Sequence, residues 1–137
     1  MKVDTARILR AGAIGALIGS IANLIIWFIA LQTGLTLSVP AMDPSMADAS
    51  GMMQVPLIAV ILATTITTFI GGGVLAIFNR ISANPVRLFQ IVAGVFVFVS
   101  MVGVLEVPAT GDKISLGLMH IVAGIVAVWV YTTQTRK

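Results

Sequence analysis

Four long runs of apolar residues, none with a charge at its centre, account for most of the chain. They cover about residues 8–32, 56–78, 88–107 and 114–131. A bilayer core about 30 Å thick is crossed by about 20 residues of helix, and each run is near or above that length. Only 9% of the residues are charged, whereas a soluble domain carries about 25%. The runs therefore predict four membrane-spanning helices.

All but one of the eight basic residues lie on the same side of the predicted spans. By the positive-inside rule, both termini are expected in the cytoplasm and the protein in a cell inner (plasma) membrane. The basic residues are scattered between apolar runs and form no patch, so no nucleic-acid partner is expected. The seven residues on the cytoplasmic side are Lys2, Arg7, Arg10, Arg80, Arg87, Arg136 and Lys137.

Two short connections determine which of the predicted spans are neighbours. The stretch "NRISANPVR" joins the second to the third, and "PATGDK" joins the third to the fourth. Such short links make consecutive helices antiparallel neighbours. We therefore expect an all-α, up-down four-helix bundle in the membrane, forming a single domain over residues 1–137. The first run is longer than a signal-peptide core and has no small-x-small cleavage site, so we expect it to remain as an anchor.

Polar residues fall on the small-residue faces of the four spans. Small residues at helical spacing mark where membrane helices approach closely, and polar side chains there hydrogen-bond between helices. Asn23, Thr64, Ser100 and His120 each occupy such a face, one in each span. We expect these four side chains to meet at similar depth inside the bundle, with His120 facing inward. They form the predicted interior polar cluster and ligand contact.

His120 is the only histidine in the chain. The simplest interpretation is a hydrogen bond to Asn23, Thr64 or Ser100 that fastens helices together, and no cofactor is then predicted. The alternatives are an axial ligand to haem or a chlorophyll-type pigment, a contact to a quinone, or a residue of a proton relay.

The second span carries threonines followed by glycines. Thr67, Thr68, Gly71 and Gly72 share this region, and their hydroxyls and small size would suit the lining of a path in an oligomeric transporter or channel. A tight helix interface is the simpler interpretation.

The connection between the first two spans, residues 33–55, is long for a bundle. Asp43 before Pro44 is typical of a helix start, and Gly51 of a helix end, so a short interfacial helix is predicted. Its methionines would lie on the membrane surface or over the bundle mouth. The spacing of Met42 and Met46 also suits Cu(I), but such methionines more often pack, and no metal site is predicted.

Several short stretches resemble a family of small bacterial four-helix membrane proteins of unknown function. They are "ANLIIW" in the first span, the threonine-bearing start of the second, "NPVRLFQIVAGVFVFVS" entering the third and "LGLMHIVAG" in the fourth. The resemblance implies the four-helix topology, with Asn23, Thr64, Ser100 and His120 at family-like positions. It implies no reaction, and the methionine-bearing loop departs from it.

No catalytic motif is present in the sequence. The chain has no cysteine, no paired carboxylates, no Ser/His/Asp set, no phosphate-binding loop and no H-E-x-x-H. We therefore expect a non-enzymatic multi-pass protein, either an accessory or structural subunit or a small lipophilic-ligand-binding bundle. The alternatives are the oligomeric transporter or channel and a pigment-binding subunit using His120. The expected partners are the lipid bilayer and a homo-oligomer or a larger membrane complex.

Overall fold

The computed structural model describes residues 3–135. It is all-α apart from one small hairpin, and its four helices are long and apolar enough to cross a membrane. The second helix runs past the predicted end at residue 78, because helical hydrogen bonding continues through Asn79 and Arg80 after the apolar run ends. The elements are α1 (Thr5–Gln32), β1 (Ser38–Pro40), β2 (Met52–Gln54), α2 (Leu57–Ile81), α3 (Pro85–Leu105) and α4 (Thr110–Thr135).

The residues at the starts of α1 and α3 are of types that favour the beginning of a helix. The Asp4 side chain accepts a hydrogen bond from the Ala6 backbone N–H at 3.1 Å, which caps α1. Pro85 is the first residue of α3, where its missing N–H would have no helical partner. The short link between α2 and α3 thus ends one helix and starts the next within a few residues.

The four helices pack side by side, compatible with the predicted helical bundle. α1 packs along both α2 and α4, while α3 packs on α4 and less extensively on α2. Glycines allow the close approach: a methyl group on Gly19 would lie 3.1 Å from Thr64 Cγ2, and one on Gly15 would lie 3.1 Å from Thr68 Cγ2. The same two glycines face Val126 and Val130 of α4. Thus α1 runs antiparallel to both neighbours.

Apolar residues form two separate core clusters, one toward each end of the bundle. The cluster at the end that holds Val3 and the α2–α3 link, which we call the termini end, centres on Leu75, Phe89 and Tyr131. The cluster at the other end, which we call the hairpin end, centres on Leu37 and Leu116. The buried polar residues Ser20, Asn23 and Thr64 lie between these clusters.

The long connection between α1 and α2 forms a β-hairpin, so the prediction of a short interfacial helix is wrong. Strands β1 and β2 pair antiparallel with Val39 opposite Met53. The residues that predicted a helix form only a single 3-10 turn at Pro44–Met46. Asp43 caps this turn by accepting a hydrogen bond from the Ser45 N–H. Gly51 does not end a helix but reverses the chain, with φ +78°.

Hydrogen bonds within the turn region hold the hairpin. The hydroxyl of Ser50, followed by the backbone N–H groups of Met52 and Ser50, holds the pKa of Asp48 below its ordinary value. The backbone N–H of Ser45 does the same for the pKa of Asp43. Both carboxylates are exposed and bond only within the hairpin.

The hairpin is fastened across the end of the bundle, and we call residues 33–56 the cap. Leu37 is fully buried in the hairpin-end core, and its backbone is left-handed, with φ +49°. The buried Asp112 carboxylate, in the first turn of α4, accepts from the Thr36 hydroxyl and the Ser38 N–H, each at 3.0 Å. The Trp27 ring N–H of α1 donates to the Val55 carbonyl at 3.0 Å. Three attachments thus join the cap to α1 and α4.

Candidate functional site

Two of the four residues predicted for the interior polar cluster do meet. The Asn23 side-chain amide donates to Thr64 Oγ1 at 3.0 Å, and both side chains are buried between α1 and α2. The neighbouring Gly19 keeps the two helices close enough for this bond. This part of the predicted cluster is present in the structure.

Ser100 and His120 do not join that pair. The Ser100 hydroxyl donates to the Val97 carbonyl of its own helix at 2.7 Å. The His120 ring bonds the Leu116 carbonyl of its own helix at 2.9 Å, and the side chain is exposed. The prediction that His120 faces packed helices is therefore wrong for the single chain.

The helix geometry explains the exposure of His120. Leu116, on one side of it, is buried in the hairpin-end core, and Gly117 and Gly124, on the other side, contact α3. At 100° per residue His120 lies between these two rows, where a fully closed bundle would place α2. Because α2 packs mainly along α1 and makes only slight contact with α4, it leaves this strip of α4 uncovered.

Two buried polar atoms of α1 lack hydrogen-bond partners within the described part of the chain. They are Oδ1 of Asn23 and Oγ of Ser20, whose side chains are 4% and 8% exposed. Buried polar groups are nearly always paired in native proteins. Ser20 and Asn23 are therefore the least satisfied polar positions of the described interior.

Tyr131 is a central packing residue that sequence reasoning missed. Its hydroxyl donates to the Thr68 carbonyl at 2.8 Å, and its ring packs edge-on against Phe89 with centroids 5.3 Å apart. Gly12 and Gly72 make room for it, since a methyl group on either would lie 3.0 or 2.6 Å from the Tyr131 oxygen. The sequence did contain one signal for this packing role. Tyr131 lies seven residues after Gly124, so the two residues share one face of the helix.

The residues predicted to line a path lie in this same region. Thr68 and Gly72 are buried, and the Thr68 hydroxyl donates to the Thr64 carbonyl of its own helix at 2.7 Å. Gly71 is half-buried beside Phe89, and Thr67 is exposed. The structure therefore places three of them, Thr68, Gly71 and Gly72, in helix contacts and one, Thr67, on the surface.

An open groove of about 510 Å³ runs between α3 and α4. Its walls are mostly apolar and include Val97, Ile121 and Ile125, with Gly94 and Gly124 giving it depth. Toward the termini end the groove becomes polar.

The polar end of the groove is formed by one side chain from each helix. The Gln90 amide of α3 donates to Thr132 Oγ1 of α4 at 3.0 Å. Gln90 also lines a second hollow, of about 350 Å³, together with Asn84 and Arg87. The apolar groove thus leads to the hydrogen-bonding side chains of Gln90 and Thr132 and then to the cationic side chain of Arg87.

These features define a class: a small protein of four helices, each of membrane-spanning length, with a polar contact in its interior and an open groove on its side. The chain belongs to the family of unknown function DUF6069, which matches residues 3–137. No curated protein and no solved structure matches the chain. The family membership agrees with the resemblance found in the sequence.

Proposed function

We propose that this is a non-enzymatic protein that spans the cell inner membrane, with both termini in the cytoplasm, and holds a lipophilic molecule in the groove between α3 and α4. In this role it serves as an accessory, ligand-binding subunit of the membrane. The observation that carries the proposal is the groove itself, because it lies along helices of membrane-spanning length and ends at polar side chains.

The chemistry of the groove favours an amphiphile. The apolar walls accept a hydrocarbon body, which gains free energy by filling the space between the helices. At the termini end, Gln90 and Thr132 offer hydrogen-bonding groups, and Arg87 lies beyond them. A molecule with a polar or anionic head and an apolar body matches this order. We do not extend the proposal to a channel, because Thr68 and Gly72 are occupied by contact with Tyr131.

Filling the groove should remove its ligand. Gly94 lines the groove, and a methyl group built on it meets no described atom within 4 Å other than its chain neighbours and its own helix backbone. A Gly94→Leu protein should fold normally and, after gentle purification from native membranes, carry about tenfold less of the bound lipophile, which corresponds to about 1.4 kcal/mol of affinity. Mass spectrometry of extracted lipophilic molecules, normalised to protein, measures this.

The matched control for that experiment is Gly103→Leu. Gly103 lies on the same helix, is equally unobstructed among the described residues, and does not line the groove. Both variants gain the same helix propensity. If the wild type and both variants carry the same molecules in the same amounts, the groove does not bind a ligand and the proposed function is wrong.

The proposed orientation has a direct test, because the chain contains no cysteine. Met42 is fully exposed in the cap, and Asn84 is exposed in the link between α2 and α3. In intact cells stripped of any outer envelope, a membrane-impermeant maleimide should label Met42→Cys within minutes and label Asn84→Cys only after the membrane is permeabilised. The opposite pattern would place the termini outside the cytoplasm.

A further inference from the structure

The groove between α3 and α4 has about the length of one leaflet of a bilayer. On α4 its walls run from Ile121 to Thr133, a distance of about 18 Å along the helix. Half of the hydrocarbon core of a bilayer is about 15 Å. Ile121 lies near the middle of α4, and Thr133 lies in its last turn, toward the cytoplasm in the proposed orientation. The groove therefore runs from the bilayer midplane to the cytoplasmic surface, as a lipid of that leaflet does.

The second hollow adjoins the groove at its cytoplasmic end. Gln90 lines both spaces, so an occupant of the groove can extend into the hollow. The hollow measures about 350 Å³ and lies beside the link between α2 and α3. A headgroup made of a phosphate and a glycerol fits a space of this size, whereas the carboxylate of a fatty acid would leave most of it unfilled. The two spaces together have the shape expected for a phospholipid.

Three side chains that line the hollow have hydrogen-bond donors that the described part of the chain does not use. The Arg87 guanidinium makes no ion pair or hydrogen bond with any described residue. The Asn84 side chain makes no capping bond to α3. The Gln90 amide carries two hydrogens, and Thr132 accepts one of them. The hollow therefore presents one cation and two neutral donor groups to an occupant.

The charges at the termini end favour an anionic headgroup. Within residues 3–135, the one carboxylate at this end is Asp4, and the basic residues there are Arg7, Arg10, Arg80 and Arg87. No described carboxylate lines the hollow, so the cationic group of a zwitterionic headgroup would find no partner in it. The planar guanidinium of Arg87 matches two oxygens of a phosphate. Basic pockets between membrane helices on the cytoplasmic side bind anionic headgroups in this way.

We propose that the groove and the hollow together bind one anionic phospholipid of the cytoplasmic leaflet. Its hydrocarbon chain lies along the apolar walls, and its phosphate lies in the hollow, where Arg87 and Asn84 donate to it. Arg87 determines the preference for an anionic over a zwitterionic headgroup. This inference rests on the proposed function, because it names the class of ligand, its leaflet and its direction in the same groove.

Native mass spectrometry of the full-length protein in detergent tests the site, with phosphatidylglycerol and phosphatidylcholine of identical chains as probes. The wild type should bind one phosphatidylglycerol about tenfold more tightly than one phosphatidylcholine. Arg87 is exposed, so Arg87→Gln should fold normally; it should lose this preference and bind phosphatidylcholine as the wild type does. The matched control is Arg80→Gln, which removes one charge from the same end but lines neither the groove nor the hollow. It should keep the preference.

Two further arms separate this inference from the proposed function. Gly94→Leu should weaken the binding of both lipids, because it fills the groove. If the wild type binds both lipids equally and Gly94→Leu weakens both, the groove holds a lipophile but the anionic preference is wrong. Equal loss of preference in Arg80→Gln and Arg87→Gln would overturn the role of Arg87 in the same way.

Glycerol phosphate, which has the headgroup chemistry without a chain, distinguishes a lipid site from a site for a free phosphate ester. It should not displace phosphatidylglycerol at equal concentration, because the groove holds the chain. Displacement would show that the hollow binds the phosphate alone and would overturn the lipid. Binding of neither lipid by the wild type would also overturn the inference, while the lipophiles carried from native membranes still decide the proposed function.

Discussion

Replacing Gly72 by alanine should lower the free energy of unfolding by about 1–3 kcal/mol, the usual cost of overpacking. The added methyl group would lie 2.6 Å from the Tyr131 oxygen and 3.3 Å from the ring carbon that bears it. Tyr131 cannot easily move aside, because it is fully buried, packs on Phe89 and donates to the Thr68 carbonyl. The clash therefore breaks that hydrogen bond or separates α2 from α4.

Gly73→Ala is the matched control for this substitution. It is the next residue of the same helix, and a methyl group there has no described atom within 4 Å beyond its chain neighbours and its helix backbone. Both substitutions gain about 1 kcal/mol of helix propensity, so only the clash separates them. Thermal unfolding in detergent, followed by circular dichroism, measures both. Equal melting temperatures would show that Tyr131 tolerates the methyl group and that this packing is looser than the structure indicates.

Replacing Asp112 by alanine should loosen the attachment of the cap to α4. The substitution removes the acceptor that the Ser38 N–H and the Thr36 hydroxyl share, and a typical intramolecular hydrogen bond contributes about 0.5–1.5 kcal/mol. We expect cleavage within residues 33–56 by a non-specific protease to become about tenfold faster or more, the factor that corresponds to about 1.4 kcal/mol of lost attachment. Limited proteolysis in detergent with mass mapping of the fragments gives the rate. Asp112→Asn, which keeps one acceptor oxygen, should fall between the alanine variant and the wild type.

Asp43→Ala is the control for the cap experiment. The Asp43 carboxylate is exposed and accepts from the Ser45 N–H inside the cap, so its loss loosens one turn but not the attachment. Its cleavage pattern should extend only to the turn near residues 43–46. If Asp112→Ala is cleaved no faster than Asp43→Ala, the buried carboxylate does not hold the cap.

The helices and the Asn23–Thr64 contact could be predicted because they depend on local patterns. Apolar length alone fixes which segments are helical, and glycines at helical spacing mark the faces that pack. Asn23 lies on such a face together with Gly19, and the structure pairs it with Thr64, one of the four residues predicted to meet inside the bundle. The same pattern misplaced His120, because spacing shows which side of α4 faces the bundle but not whether another helix covers it at that level.

The cap and Tyr131 depend on long-range contacts that local patterns do not encode. The sequence from Asp43 to Gly51 carries helix-start and helix-end signals, yet a turn followed by a strand uses the same residue types. The choice between a helix and a turn followed by a strand depends on the pairing of residues 38–40 with 52–54 and on the buried position of Leu37. Tyr131 likewise gains its role from glycines 12 and 72, which are distant in sequence.

The attachment of the cap also sets an order of assembly. Thr36 and Ser38 are synthesised before the second helix, whereas Asp112 follows them by 76 and 74 residues and belongs to the last. While the ribosome makes the middle of the chain, the cap can therefore be held only by its attachment to α1, the hydrogen bond from Trp27 to Val55. Its attachment to α4 forms only when that helix is in position. A chain with a missing or misplaced final helix keeps an open loop, which is the segment that a quality-control protease on that side of the membrane would meet first.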